Sequence, residues 1–452
     1  MLMKLSKFLL LLAIGFYLFH FLFFWIFEGT DSYFYWAFAN FIRTGKYFAP
    51  APYYYTVPST MEPPLYSVFL YLAGFIKRAD IVVHLTQISS ILLSAFFIFK
   101  IMKYYVKEKV AIFISSLFLL IPAHFIYVSH IVAETIAIFY LSLYLFLAHL
   151  IMNKEKTYVI KLLLVVSAVM TLQRYNFLPL FVFALFIFLF TKYKRKLTDY
   201  LYLFASISIL FTWVVINYSL NGAWGLSNSE GKHLYNRILH FDRLQPDAGN
   251  PGFIKFKKIV GENIDYFKPW WFYEPQLMAK LGSETKSSQL MQEVALSAFK
   301  RNPWQYLINI PRFFIFAHNT NDMFHNNLFL VKDDMLKDCR TLGSIEFCRP
   351  IIQTNFSNKI WDNLVELTDN YYLYLWRYVN FFLLFPSILF AALQKNTFIK
   401  FCSFAYLTCV LLFISVEAPL PRYTYIFKPL GVILISFMIY KFIKRYIYAK
   451  KD

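Results

Sequence analysis

Apolar runs of roughly 20 residues, enough to cross a ~30 Å hydrocarbon core, recur along almost the whole chain. They predict helical spans at 4–27, 80–103, 109–127, 132–151, 158–173, 177–191, 199–219, 372–393, 397–416 and 424–443. Two longer polar stretches interrupt them, one at 28–79 and one at 220–371. The expected architecture is therefore an all-α polytopic membrane protein, with about ten transmembrane helices and two loop caps on one side. It divides into an N-terminal transmembrane module (1–219), a loop region with short helices (220–371) and C-terminal helices with a basic tail (372–452). Within the loop region, IPRFFIFAH (310–318) is apolar but too short to cross. It reads as an interfacial or re-entrant helix, with an extra pair of crossings as the alternative.

Orientation follows from the cations. With the N-terminus in the cytoplasm, the inward loops hold Lys4 and Lys7, then Lys103, Lys107 and Lys109, then Lys154 and Lys156. Lys192, Lys194, Arg195 and Lys196 follow, then Lys395 and the tail Lys444, Arg445, Lys450 and Lys451. The opposite short loops hold little beyond Arg174 and Arg422. That asymmetry is the positive-inside pattern, and it puts both caps outside a cell (inner or plasma) membrane.

Composition agrees with this reading. Of 452 residues, 59% are hydrophobic, 21% aromatic and 16% charged, against about 25% charged in a soluble domain. The net charge of +19 invites a nucleic-acid reading. Yet residues 221–371, the longest polar stretch, hold 17 Lys/Arg against 16 Asp/Glu, so no basic polar domain exists to bind one. The opening apolar stretch is too long for a signal peptide's core, and no small-residue cleavage site follows it, so it is expected to be a retained first span. Cys402 and Cys409 fall in a span as packing residues. Cys339 and Cys348, both on the outer side, could close a small disulfide loop or remain thiols.

The candidate chemistry lies at the outward ends of the spans. Asp31 stands just after the first span, and Ser32 to Phe41 reads as an aromatic helix along the membrane surface. Pro63-Pro64 fixes the start of another short helix. Glu62 precedes that pair, and Glu134 opens an apolar run, where an ionisable group usually faces a polar cavity. Arg174 and Arg422, at outward span ends, can each pair two oxygens of a phosphate, although snorkelling to headgroups is the ordinary fate of such residues. His124 and His130 flank the loop before Glu134 at a spacing that matches no metal motif. His233, Tyr235 and Arg237 are further candidates for the acceptor side.

Taken together, these stretches resemble the GT-C superfamily of polyprenyl-phosphate-sugar-dependent glycosyltransferases, similar to protein O-mannosyltransferases and bacterial aminoarabinose transferases. The resemblance rests on the acidic residue after the first span, the aromatic surface helix, the "TG" turn and the PPLY turn. HIVAETIAIFY (130–140) and PLPRYTYIFKPLGVI (419–433) extend it more weakly. It implies a GT-C-like fold, with Asp31 as the catalytic carboxylate and Glu134 as the acidic residue of the second loop. The donor would be a polyisoprenyl-phosphate sugar, and the acceptor a hydroxyl on a lipid, glycan or protein. Where relatives often carry Lys or His before the Pro-Pro pair, this chain has Glu62. Only a short basic tail is expected after the last span, so substrate selection is expected to fall to the outward loops and the core.

The residue chemistry accommodates that reading. A carboxylate within ~2.6–3.2 Å of the acceptor hydroxyl can take its proton. Fixed cations such as Arg174 and Arg422 can stabilise the departing lipid phosphate. Glu62 and Glu134 would orient the acceptor or a divalent metal ion, the one cofactor the residues suggest. A transporter or flippase is the alternative from another class. It is disfavoured because ionisable residues cluster at one face rather than mid-membrane. A polymerase or ligase of lipid-linked glycans shares the outward geometry and stays open.

Overall fold

The computed structural model describes residues 2–23, 32–47, 58–153, 157–190, 195–261, 265–319, 378–417 and 421–449. Every regular element among them is helical. In chain order the N-terminal module holds α1 (Leu2–Phe23), α2 (Ser32–Thr44), α3 (Pro64–Ala73), α4 (Ala79–Tyr105) and α5 (Glu108–Leu119). It continues with α6 (Pro122–Val128), α7 (Glu134–Met152), α8 (Ile160–Gln173), α9 (Leu178–Phe190) and α10 (Leu197–Asn221). The polar region holds α11 (Glu230–Tyr235), a π turn (Asn236–Phe241), α12 (Pro251–Val260), α13 (Glu274–Leu281), α14 (Glu284–Arg301) and α15 (Pro303–Asn319). A second π turn (Asn380–Leu384) leads into α16 (Phe385–Ala392), then α17 (Thr397–Val416), α18 (Pro421–Tyr425) and α19 (Lys428–Ala449).

Among the described residues, five helices are long and apolar enough to cross a bilayer: Met3–Leu22, Ala79–Tyr105, Glu134–Met152, Leu197–Asn221 and Thr397–Val416. They mark a membrane protein. The described parts of the other expected spans are shorter or more polar pieces, and the start of the 372–393 span lies outside the described residues. The 109–127 run breaks into α5 and α6 at Leu120–Ile121, because Pro122 disfavours helix in the residue before it and offers no N–H. Helix ends are set locally. The backbone N–H of Lys196 donates to Asp199 Oδ2 at 2.6 Å as α10 starts, and Gly222 closes that helix in the left-handed region at φ 68°.

Burial ranks the helices. In α7, 72% of the spanning window is buried; in α10 the share is 17% and in α1 22%. So α7 is the central post, and α1 and α10 present Leu11, Leu18, Phe204 and Phe211 outward to lipid. Lipid is as apolar as leucine, so the bundle is held by close packing rather than by expulsion of water. Small residues permit that approach. Ser94 and Ser142 return their hydroxyls to Ser90 O (2.7 Å) and Ile138 O (2.8 Å), so both donors are satisfied within their own helices.

The polar region folds into a cap with its own core of Tyr235, Phe256, Tyr273, Leu277, Met291 and Val294. Its helices α11 and α14 meet backbone to backbone at Gly231, where a Cβ would lie 1.9 Å from the carbonyl oxygen of Ser288. Gly231→Ala should therefore lower the cap's stability by about 1–3 kcal/mol as an overpacking change. A thermal unfolding scan of the purified variant checks it; an unchanged midpoint would contradict the close approach.

The cap also clamps the first loop. Ser59 Oγ donates to Glu284 Oε1 (3.1 Å), and Asn228 bridges Thr60 N (3.3 Å) to Glu284 Oε2 (3.0 Å). Thr60 Oγ1 reaches Asn217 Oδ1 on α10 at 2.6 Å. Beneath this clamp, the fully buried Lys232 sits between Glu274 (2.8 Å) and Glu284 (2.6 Å).

Candidate functional site

Chain geometry brings three of the sequence candidates together. Arg174 ends α8 in an extended conformation, and its neighbour Gln173 donates to Ala133 O at 3.0 Å, pinning the end of α8 to the start of α7. Glu134 is the first residue of α7, where the helix's positive end favours a carboxylate. The Arg174 guanidinium is paired directly with Glu134, and both side chains are almost wholly buried. Glu62, fixed ahead of Pro63-Pro64, approaches the same guanidinium at 3.7 Å and accepts a hydrogen bond from Tyr35 on α2 at 2.8 Å. One cation is thus held by two carboxylates arriving from different parts of the chain.

This cluster borders a cavity of about 410 Å³ between the bundle and the cap. Its polar wall holds Glu62, Arg174, Glu230, His233, Gln292 and Glu417. Its apolar wall comes from Leu178 and Pro179 at the start of α9 and from Cys409, Leu412, Phe413 and Val416 on α17. Leu412 and Val416 are more than half exposed on the bundle's outer surface, so this wall continues toward lipid. His233 Nδ1 meets Glu417 Oε1 at 3.3 Å, tying the cap to the end of α17 across the cavity. The Tyr423 ring on α18 lies 6.0 Å from the Arg174 guanidinium.

Asp31 lies outside the described residues, as do Cys339 and Cys348. The next residue, Ser32, donates to Ile131 O at 2.8 Å, so α2 starts beside the loop that leads into Glu134. Arg422 falls in α18, next to the cavity residue Tyr423, and its side chain is outside the description. Of the three acceptor-side candidates only His233 reaches the cavity. Tyr235 turns into the cap core and donates to Tyr266 O at 2.6 Å. Arg237 is buried, paired with Asp242 and stacked 4.2 Å from Phe313. Desolvation raises the Asp242 carboxyl to about 6 against the pull of Arg237.

His124 bonds to the Tyr425 hydroxyl, and among the described residues no three metal-type side chains converge. Tyr35 and Tyr423 lay in stretches the sequence singled out without being given a role of their own, and Glu230, Gln292 and Glu417 were not named. Glu417 carried a signal, being an acidic residue directly after an apolar run.

The fold and site together describe an all-helical membrane protein with a cap and an amphipathic cavity between them. The chain matches no protein-family model, no curated protein and no solved structure among those compared with it.

Proposed function

We propose that this protein is a membrane glycosyltransferase that moves a sugar from a polyisoprenyl-phosphate donor to an acceptor hydroxyl, with inversion, on the outer face of the membrane. The observation that carries the reading is the two-walled cavity at Arg174. A lipid-linked sugar needs a polar chamber for its head and an apolar side for its chain, and the α9–α17 wall offers the latter. The loop cations support ten crossings in a GT-C-like arrangement, with the cap outside and both termini in the cytoplasm.

In the proposed reaction Asp31 takes the proton of the acceptor hydroxyl. The freed oxygen attacks the sugar's anomeric carbon from the face opposite the phosphate. The carbon–oxygen bond to phosphate breaks, and its electron pair stays on the lipid phosphate. Arg174 and Arg422 hold that phosphate as its charge grows. Glu134 and Glu62 hold the Arg174 guanidinium in one orientation at the cavity wall, where it would meet the anion. They also surround it with negative charge, which gives a second cation at Arg422, or a divalent ion on Glu62 and Asp31, a specific purpose.

The test is transfer from radiolabelled polyprenyl-phosphate sugars into endogenous acceptors, fractionated into lipid, glycan and protein. A requirement for a lipid-diphosphate glycan would move the reading to a polymerase or ligase. Lipid movement without transfer would move it to a flippase. Arg174→Gln should weaken donor binding by about 10–100-fold, as loss of a charged hydrogen bond worth ~1.5–3 kcal/mol implies, and should slow turnover as well. Donor titration of the folded variant checks this; wild-type affinity would remove Arg174 from the phosphate site.

A further inference from the structure

Among the described residues the exposed tryptophans are Trp224, Trp271 and Trp304, and each stands where a spanning helix meets the cap. Trp224 stacks on Tyr218, in the last turn of α10, with ring centroids 4.3 Å apart. Trp304 lies two positions before Tyr306, whose hydroxyl donates to Ser415 O at the cap end of α17. Trp271 reaches the same level by a longer route. Arg237 Nε donates to Ile414 O, which seats the π turn 236–241 on the end of α17. Residues 265–272 are tied to that turn in two places. His240 Nδ1 donates to Phe267 O at 2.8 Å, and Trp270 N donates to Asn236 Oδ1 at 3.3 Å. Tryptophan exposed at span ends marks the bilayer interface, and α17, long and apolar enough to cross, fixes where it lies.

The surroundings of Trp271 are basic as well as aromatic. Lys268 Nζ lies 4.0 Å from the Phe272 ring centroid, and Trp271 and Phe272 are 45% and 47% exposed. The Arg243 guanidinium lies 5.4 Å from the Phe267 ring. Arg243 is also the one described residue other than glycine in the left-handed region, at φ 57°. A costly backbone conformation at an exposed cation is an outlier that a ligand explains better than packing does. Arg312 on α15 acts on the adjacent Asp242 carboxylate, which is itself held by Arg237 and Asn309. Across 240–244, 265–272 and α15, the exposed charges are thus Arg243, Lys268 and Arg312 against Asp265.

We propose that this basic-aromatic edge of the cap is a docking surface for anionic phospholipid of the cap-side leaflet. Trp271 and Phe272 enter the headgroup layer, while Arg243 and Lys268 hold the lipid's phosphate. The occupant is lipid because the edge continues into lipid-facing surface. Phe241 of the π turn packs 6.2 Å from Phe313 of α15, and that helix exposes Ile308 and Ile315 beside it. The excess of cations makes that lipid anionic. The proposal is independent of the transfer reaction.

The full chain is reconstituted in phosphatidylcholine vesicles carrying a photoactivatable phosphatidylglycerol, and crosslinked peptides are mapped by mass spectrometry. Unlabelled phosphatidylglycerol, phosphatidylcholine and inorganic phosphate serve as competitors. The variant is the double substitution Arg243→Asn and Lys268→Gln. Both side chains are exposed and asparagine suits left-handed backbone, so its unfolding midpoint should match the parent's. Separately, a nitroxide at Phe272→Cys, with the native cysteines replaced, reports placement in the otherwise unaltered chain. It is read by relaxation with oxygen against a water-soluble nickel chelate.

The probe should label 240–244 or 265–272 in the parent, with phosphatidylglycerol the effective competitor. The double variant should bind it about 10–30-fold more weakly, as loss of two cations at a charged surface implies. Oxygen and the chelate should both reach the nitroxide, as they do in the headgroup layer. Relaxation by the chelate alone would lift this edge clear of the bilayer. Equal competition by phosphatidylcholine would remove the selectivity for anionic lipid, and competition by inorganic phosphate would make this a free-anion site. Undiminished labelling of the folded variant would remove Arg243 and Lys268. Each of these four results overturns the proposal.

Discussion

Asp31→Asn should reduce the proposed sugar transfer by about 10²–10⁴-fold while leaving donor binding largely intact. Asn keeps the size and polarity of Asp but cannot take a proton at neutral pH. If Asp31 were only a solvated charge at a span end, the change would stay within ~0.5 kcal/mol and activity would persist. Single-turnover transfer, with donor affinity measured in parallel, separates the two. Loss of turnover at constant affinity identifies the base; loss of both places Asp31 with the binding groups. A folded Asp31→Asn variant with the wild-type rate removes the catalytic assignment.

Lys232→Met should be the most damaging change in the cap. Burial alone would pull the Lys232 ammonium down, but Glu274 and Glu284 overcome it and hold the pKa above the usual lysine value. That contribution is fully present below the ordinary lysine range and is lost only as pH rises through the elevated folded value, so it does not vary near neutrality. Methionine leaves two buried carboxylates facing each other, and breaking a buried pair typically costs about 3–5 kcal/mol. The carboxylates would then be pushed up, so the variant should regain stability as pH falls toward 5 while the parent does not. Thermal unfolding at two pH values reads both effects. Because Glu284 also holds Ser59 and Asn228, the variant should loosen the loop that carries Glu62.

Length and apolarity made the membrane class readable, and Pro63-Pro64 announced α3 as the structure has it. Glu134 and Arg174 were each visible as ionisable groups at apolar ends. Their pairing was not, because they are 40 positions apart and helical periodicity names a face, never its partner. Tyr35 reaching Glu62 from a surface helix is hidden for the same reason. Arg237 looked like a cavity residue in its polar stretch, and only the aromatic rings of Tyr306 and Phe313, more than 60 positions on, make its burial intelligible. The break ahead of Pro122 could have been read from that proline. A run of apolar residues on either side masked it.

The wall formed by Leu178, Leu412 and Val416 bears on how the protein should be handled at the bench. A side wall shared between a cavity and the bundle's lipid-facing surface is open to any alkyl chain in the surrounding phase. Once extracted, the protein meets detergent monomers at concentrations far above any natural amphiphile, and these would sit where a long-chain ligand belongs. Apparent affinities in micelles should then drift with detergent chain length and concentration, whereas nanodiscs of defined lipid should return a constant value.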